Sequence, residues 1–224
     1  MSGTFRMHFE VLPAAQRALW PSLTVVSKLG FVLYGGTAIA LRLGHRQSVD
    51  FDFFNAASLD RDALRRTVPE LANATVIQDE LDTMTALFAA PGVTGELVKV
   101  SFFGGIDIGR VGEPEHANGS VVLVASLDDL MATKLKVMLQ RVEARDYRDI
   151  VALLRARVDL AHGLGAARAL FGPSFQPSES LKALTYFEGG DLATLDASER
   201  RVLVDAARAV SEVPGVAIRS RRLQ

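Results

Sequence analysis

The chain has 224 residues, 49% hydrophobic and 23% charged, the proportions of one or two globular domains with a sizeable core. It contains no cysteine, which excludes disulfides, thiolate zinc sites, iron–sulfur clusters and thiol nucleophiles and fits a reducing compartment. A net charge of -1 excludes a protein that coats nucleic acid by bulk charge. At the start of the chain, Arg6, Glu10 and Arg17 surround no apolar run, so no signal peptide is expected. The longest uncharged apolar stretch, Leu29 to Leu41, is shorter than the about 20 residues of a membrane span. A cytoplasmic protein without a membrane partner is therefore expected.

Phe31 to Tyr34 is a short apolar run halted by Gly35-Gly36, which predicts a buried strand. Thr37 to Leu43 has helical composition. Val49 to Phe54 and Glu96 to Phe103 read as further strands, with Thr85 to Ala90 and Val121 to Val124 as weaker ones and Asn118-Gly119 as a tight turn. The second half reads as helical. Ser126 to Asp129 has the shape of a capping box, and Leu127, Met131, Leu135, Met138 and Val142 keep helical spacing. A break is expected near Glu143 to Arg145, then a second helix over Asp146 to Leu154. Asp196 to Glu199 forms another capping box, opening a helix toward Val210. The pattern predicts a mixed α/β (α+β) core over residues 1–125, its sheet flanked by helices, and a helical domain over 126–224.

Charge follows the same division. Residues 1–126 hold 10 basic against 13 acidic residues, and residues 127–224 hold 15 against 13. Between Lys134 and Arg157 seven basic residues face Glu143, Asp146 and Asp149. A basic helical segment beside an acidic half suits a site for metal ions and phosphate; a solvated helix face has the same composition.

The chemistry concentrates between Phe31 and Phe54. A strand, a Gly-Gly turn and a helix start let the backbone approach a ligand and leave the first helical amides unpaired. Such a turn binds phosphate oxygens, and Thr37 can add a hydroxyl. A tight turn with no ligand reads identically. Gly30 and Gly35 have the glycine spacing of a P-loop, but Gly36 stands where that motif needs lysine. Side chains alternate along a strand, so Asp50 and Asp52 share a face, about 6.8 Å apart at Cα, while Phe51 and Phe53 turn to the core. Two like charges there repel unless a cation joins them, and hard oxygen donors suit Mg²⁺ or Mn²⁺. His8, His45, His116 and His162 give no H-E-x-x-H spacing, and no G-x-S-x-G occurs.

Gly35-Gly36-Thr37, Leu41 to Arg46, Ser48 and Asp50 to Phe54 together resemble the AbiEii/AbiGii toxin nucleotidyltransferases of the polymerase-beta-like superfamily. Met131 to Leu135, Arg141 and Arg145 to Ile150 resemble that family's helical block, so the likeness covers about the first 155 residues. It implies a nucleotidyltransferase-fold sheet, with the helical domain over 126–224 completing the active-site cleft. It also implies transfer of a nucleotide from a nucleoside triphosphate (NTP) to an acceptor, tRNA or another RNA, under restraint by an antitoxin protein. Carried over, Gly35, Gly36, Thr37, Arg42 and Lys134 bind nucleotide, and Asp50 and Asp52 hold Mg²⁺ or Mn²⁺. Asp50, Asp52, Lys134 and Asp146 serve catalysis, Lys134 toward phosphate and Asp146 toward the acceptor. Arg42, His45 and Arg46 read equally well as packing around the Asp50 strand. One departure stands out: Ser101 occupies the apparent position of the superfamily's third carboxylate. Two alternatives remain open, an inactive nucleotide- or partner-binding module of the same fold and an RNA-binding protein using the Lys134 to Arg157 segment.

Overall fold

Chain order builds a sheet first and helices second. The computed structural model describes residues 3–224, which divide into two units. The first comprises residues up to Gly109, Glu113–Ser126 and Ser220–Gln224; the second comprises Arg110–Gly112 and Leu127–Arg219. Among the described residues, no helix is long and apolar enough to cross a membrane.

The first unit contains β1 (Thr4–Phe5), α1 (Ala14–Leu23), β2 (Val32–Tyr34), α2 (Gly35–Leu43), β3 (Asp50–Phe54), α3 (Arg61–Thr67), β4 (Thr75–Glu80), β5 (Thr83–Ala89), β6 (Leu97–Phe103), β7 (Glu115–Ala117) and β8 (Leu123–Val124). They form one eight-stranded sheet in the order β1-β7-β8-β2-β3-β6-β5-β4. Pairing is mixed: β3 runs parallel to β6 and antiparallel to β2. The expected mixed α/β class is what the chain adopts.

Period-two alternation sorts the sheet into two faces. Phe51 and Phe53 of β3, Val98, Val100 and Phe102 of β6, and Met84, Ala86 and Phe88 of β5 are all fully buried. Trp20 of α1 meets the Phe51 ring at 5.8 Å, and Phe31 meets Phe102 at 5.6 Å. Burying each such side chain contributes about 1.5–3 kcal/mol. A one-residue slip of β3 would exchange these rings for its carboxylates, so packing fixes the register.

Strand β4 was not expected from the sequence. It is exposed along its whole length, so no apolar alternation marks it. As the sheet's outer strand it is blunted: its register with β5 shifts between Val76 and Gln78. Arg61 also donates to Asp79 Oδ1 (2.7 Å) and to the carbonyls of Leu81 and Glu80. A bulge and charged side chains discourage pairing with another strand.

The second unit contains α4 (Leu127–Val137), α5 (Ala144–Arg155), α6 (Leu160–Phe171), α7 (Pro177–Ala183) and α8 (Ala197–Ala209). The capping box of α8 forms: Asp196 Oδ1 accepts from Glu199 N at 2.7 Å, and Glu199 Oε2 accepts from Asp196 N at 2.9 Å. Helix α4 stops at Val137, short of the predicted stripe through Val142. Asp191 Oδ1 accepts from Ala144 N at 2.6 Å and opens α5. Gly190 (φ +48) lies so close to Val142 that a Cβ there would sit 2.0 Å from its carbonyl oxygen.

Candidate functional site

Two clusters carry the expected functional residues, one in each unit. In the first, antiparallel pairing of β2 and β3 sets Tyr34 opposite Asp52. The next residue, Gly35, therefore begins α2 directly beside that carboxylate. Gly35 adopts φ +74, and a Cβ on it would lie 2.6 Å from Asp52 Oδ2. Both the positive φ and the close approach require glycine. Gly35 and Gly36 are half-buried, and the first amides of α2 lack helical partners, as at any helix start. The Thr37 side chain is 2% exposed. Its hydroxyl donates to the Asp50 carbonyl and lies 2.7 Å from Ser48 Oγ, so it ties the helix start to the carboxylate strand.

Asp50 and Asp52 alternate with buried phenylalanines and are themselves half-buried, on the face opposite the core. Parallel pairing with β6 gives Asp50 the neighbour Lys99 and Asp52 the neighbour Ser101. Lys99 Nζ stands 3.0 Å from Asp50 Oδ2. Ser101 is buried and accepts from Thr85 Oγ1 at 3.3 Å. Tyr34 stacks on Phe54 at 4.8 Å, and Phe54 meets Phe103 edge-on at 5.2 Å. The donor set fits a divalent ion of the Mg²⁺ or Mn²⁺ kind, which is held by one or two carboxylates and completes its shell with water and substrate phosphate. It does not fit an all-protein metal cage: among the described residues no three His, Cys, Asp or Glu gather to hold an ion.

Arg42 lies in the same unit with different company. Its Nη1 donates to Glu115 Oε2 at 2.6 Å and its Nη2 to the Val124 carbonyl at 3.1 Å. The guanidinium also stands 4.3 Å over the Phe5 ring, and the side chain is 6% exposed. Burial pushes its pKa down, against the opposing pull of Glu115. These contacts bind α2 to β7, β8 and β1 rather than to the carboxylate strand.

In the second unit, Lys134 and Asp146 come together as a buried ion pair. Lys134 Nζ lies 2.6 Å from Asp146 Oδ1 and 2.8 Å from Asp149 Oδ2. Arg141 adds Nε to Asp146 Oδ2 at 2.8 Å and Nη2 to Oδ1 at 3.1 Å. Both aspartate side chains are 0% exposed. Burial by itself raises the Asp146 pKa, but the Arg141 hydrogen bonds and the Lys134 charge outweigh it and hold it below the usual carboxylate value. Asp149 and Lys99 join these clusters without having been expected there. Asp149 follows Asp146 at i+3 on one helix face, a signal the sequence does contain. Lys99 reaches Asp50 through strand register, which spacing along the chain does not reveal.

A family model described as nucleotidyl transferase AbiEii toxin, type IV toxin–antitoxin system, matches residues 23–176. An uncharacterized protein of Aquifex aeolicus (strain VF5) is 31% identical over 127 residues, 56% of this chain and 58% of that one. The chain thus spans little more than half the length of that relative. Among solved structures, MenT4, a nucleotidyltransferase toxin from Mycobacterium tuberculosis H37Rv, aligns with a TM-score of 0.51 at 14% identity, covering 87% of this chain and 90% of that one. At that identity the likeness concerns the fold. The family match takes in the glycine turn, both carboxylates and the Lys134–Asp146 pair, and with it the chain belongs to the AbiEii nucleotidyl transferase toxin family of type IV toxin–antitoxin systems.

Proposed function

We propose that this chain transfers a nucleotide from an NTP to an RNA acceptor, with tRNA as the first candidate, in the cytoplasm and under restraint by an antitoxin protein. The observation that carries the reading is the meeting of glycine turn and carboxylate strand, Gly35 against Asp52 with Asp50 on the same face. Mg²⁺ or Mn²⁺ bound there supplies neutralisation of phosphate charge and orientation of the reacting phosphorus. Asp50 and Asp52 hold the ion. Gly35 and Gly36 offer backbone N–H groups and the positive end of α2 to the phosphates. Thr37 keeps that turn in register with Asp50 through its hydroxyl.

In the transfer, an acceptor hydroxyl oxygen bonds to the α-phosphorus as the bond from that phosphorus to pyrophosphate breaks. Pyrophosphate leaves with the electron pair, and the acceptor proton passes to water. Most of the acceleration in such chemistry comes from positioning and charge stabilisation. Lys134 and Asp146 enter the proposal as the phosphate-directed cation and the acceptor-directed acid. Lys134 already uses two of its three N–H donors on Asp146 and Asp149, so its part depends on that cluster. Arg42 supports the nucleotide side from a distance, by fixing the far end of α2.

One observation favours a second reading, nucleotide or partner binding without turnover: Ser101, not a carboxylate, pairs with Asp52. Incubation with each α-labelled triphosphate, tRNA or total RNA, and Mg²⁺ or Mn²⁺ separates the two. Metal-dependent labelling of RNA that disappears in Asp50→Asn and Asp52→Asn carries the transfer reading. Tight triphosphate binding without labelling under any of these conditions selects the second.

A further inference from the structure

The row across β3 and β6 holds two carboxylates, one ammonium and one hydroxyl: Asp50 beside Lys99, Asp52 beside Ser101. Resting on the metal-dependent reading above, we infer that Lys99 is the site's built-in second cation, taking the place of a second divalent ion. The Lys99 side chain is 41% exposed and that of Asp50 27%, so the pair sits at the surface of the sheet face and can open. Its salt link costs little to break in that setting.

Charge balance leads to the same assignment. With Lys99 in place the row has a net charge of -1, which one divalent ion turns to +1. A second ion would find no further carboxylate on β6, because Ser101 is neutral, buried and engaged with Thr85. Lys99 instead keeps Asp50 partly neutralised while the site is empty. When an ion takes both carboxylates, the displaced ammonium stays within reach of the negative oxygens brought by the substrate, on a flexible four-carbon stem. Lys99 therefore acts in two opposed directions, competing with the ion for Asp50 and assisting transfer once the ion is bound.

Mn²⁺ titration followed by the loss of its free-ion paramagnetic resonance signal, without nucleotide, tests this on the full chain. The variants are Lys99→Met, Lys99→Arg and Asp52→Asn, each checked for an unchanged circular dichroism spectrum. Wild type is expected to bind one Mn²⁺. Lys99→Met is expected to bind it about tenfold more tightly, the scale of one nearby unit charge at a partly screened site, while RNA labelling falls. Lys99→Arg is expected to stay near wild type in both. Tighter metal with slower transfer is a split that a merely structural lysine does not produce. Mn²⁺ binding lost in Asp52→Asn but no tighter in Lys99→Met overturns this inference and leaves the metal reading standing, as does a stoichiometry of two in wild type. Mn²⁺ binding that survives Asp52→Asn, or absent from every variant, overturns the metal reading and the role of Lys99 together.

Discussion

Asp50 and Asp52 in the first unit, and Asp146 and Asp149 in the second, are carboxylate pairs spaced two and three residues apart and set in opposite surroundings. The first pair is half-buried on a strand face, with the part-exposed Lys99 beside Asp50. The second is sealed at 0% exposure around Lys134, with Arg141 closing one side. A strand presents i and i+2 outward where the other face is core; a helix presents i and i+3 toward whatever packs against it. The same residue type thus sits beside one part-exposed lysine in one unit and is buried against Lys134 and Arg141 in the other.

This difference is most severely tested at Lys134. Lys134→Met leaves two buried carboxylates short of a cation, so stability is expected to drop by about 3–5 kcal/mol, read by urea unfolding. A drop below about 1 kcal/mol would put the cluster in the same class as the exposed one. Next in size is Asp50→Asn or Asp52→Asn. Either is expected to cost transfer at least about a hundredfold, roughly 2.7 kcal/mol of barrier, while unfolding shifts by less than about 1 kcal/mol. Parity in transfer rate would end the assignment of these residues to the ion.

Gly35→Ala comes third. It forces a side chain into φ +74 and against Asp52 Oδ2, and the left-handed conformation alone costs about 1–2 kcal/mol. A lower urea midpoint together with weaker Mn²⁺ binding is expected; unchanged Mn²⁺ affinity would separate the turn from the carboxylate. The smallest effect is acid sensitivity. The Asp146 pKa is lowered in the folded chain, so its contribution is fully present above the unfolded value of about 3.9 and is lost as pH falls through the folded one. The pH dependence of unfolding below about pH 4 is expected to flatten in Asp146→Asn. An identical slope in variant and wild type would show that other carboxylates carry it.

Much of the first unit could be read from the chain because alternation is local. The run from Asp50 to Phe54 announces its two faces by itself, and Gly35-Gly36 announces the end of β2. Register does not: that Tyr34 faces Asp52, and Lys99 faces Asp50, depends on which strands become neighbours. Arg42 illustrates another limit. The resemblance places it in the nucleotide-binding group, but it lies seven residues beyond Gly35, about 10.5 Å along a helix. Its long-range partners lie on β7, β8 and β1, which no spacing reveals. In the second unit helical spacing was visible, but the start of α5 is held by Asp191 and Val142 packs against Gly190, some fifty residues downstream. Strand β4, with no buried side, left no pattern to read.

The return of Ser220–Gln224 to the first unit has a consequence for the order of events during synthesis. Leu223 is buried, and Gln224 lies against Gly30, just ahead of β2. A ribosome makes these residues only after every helix of the second unit, so the nascent sheet waits for its closing segment while α4 to α8 are already free to form. This late-made segment is thus delivered to the unit that carries the glycine turn and the paired carboxylates. A stall or a proteolytic nick anywhere between residues 127 and 219 severs that delivery without touching a single residue of the sheet.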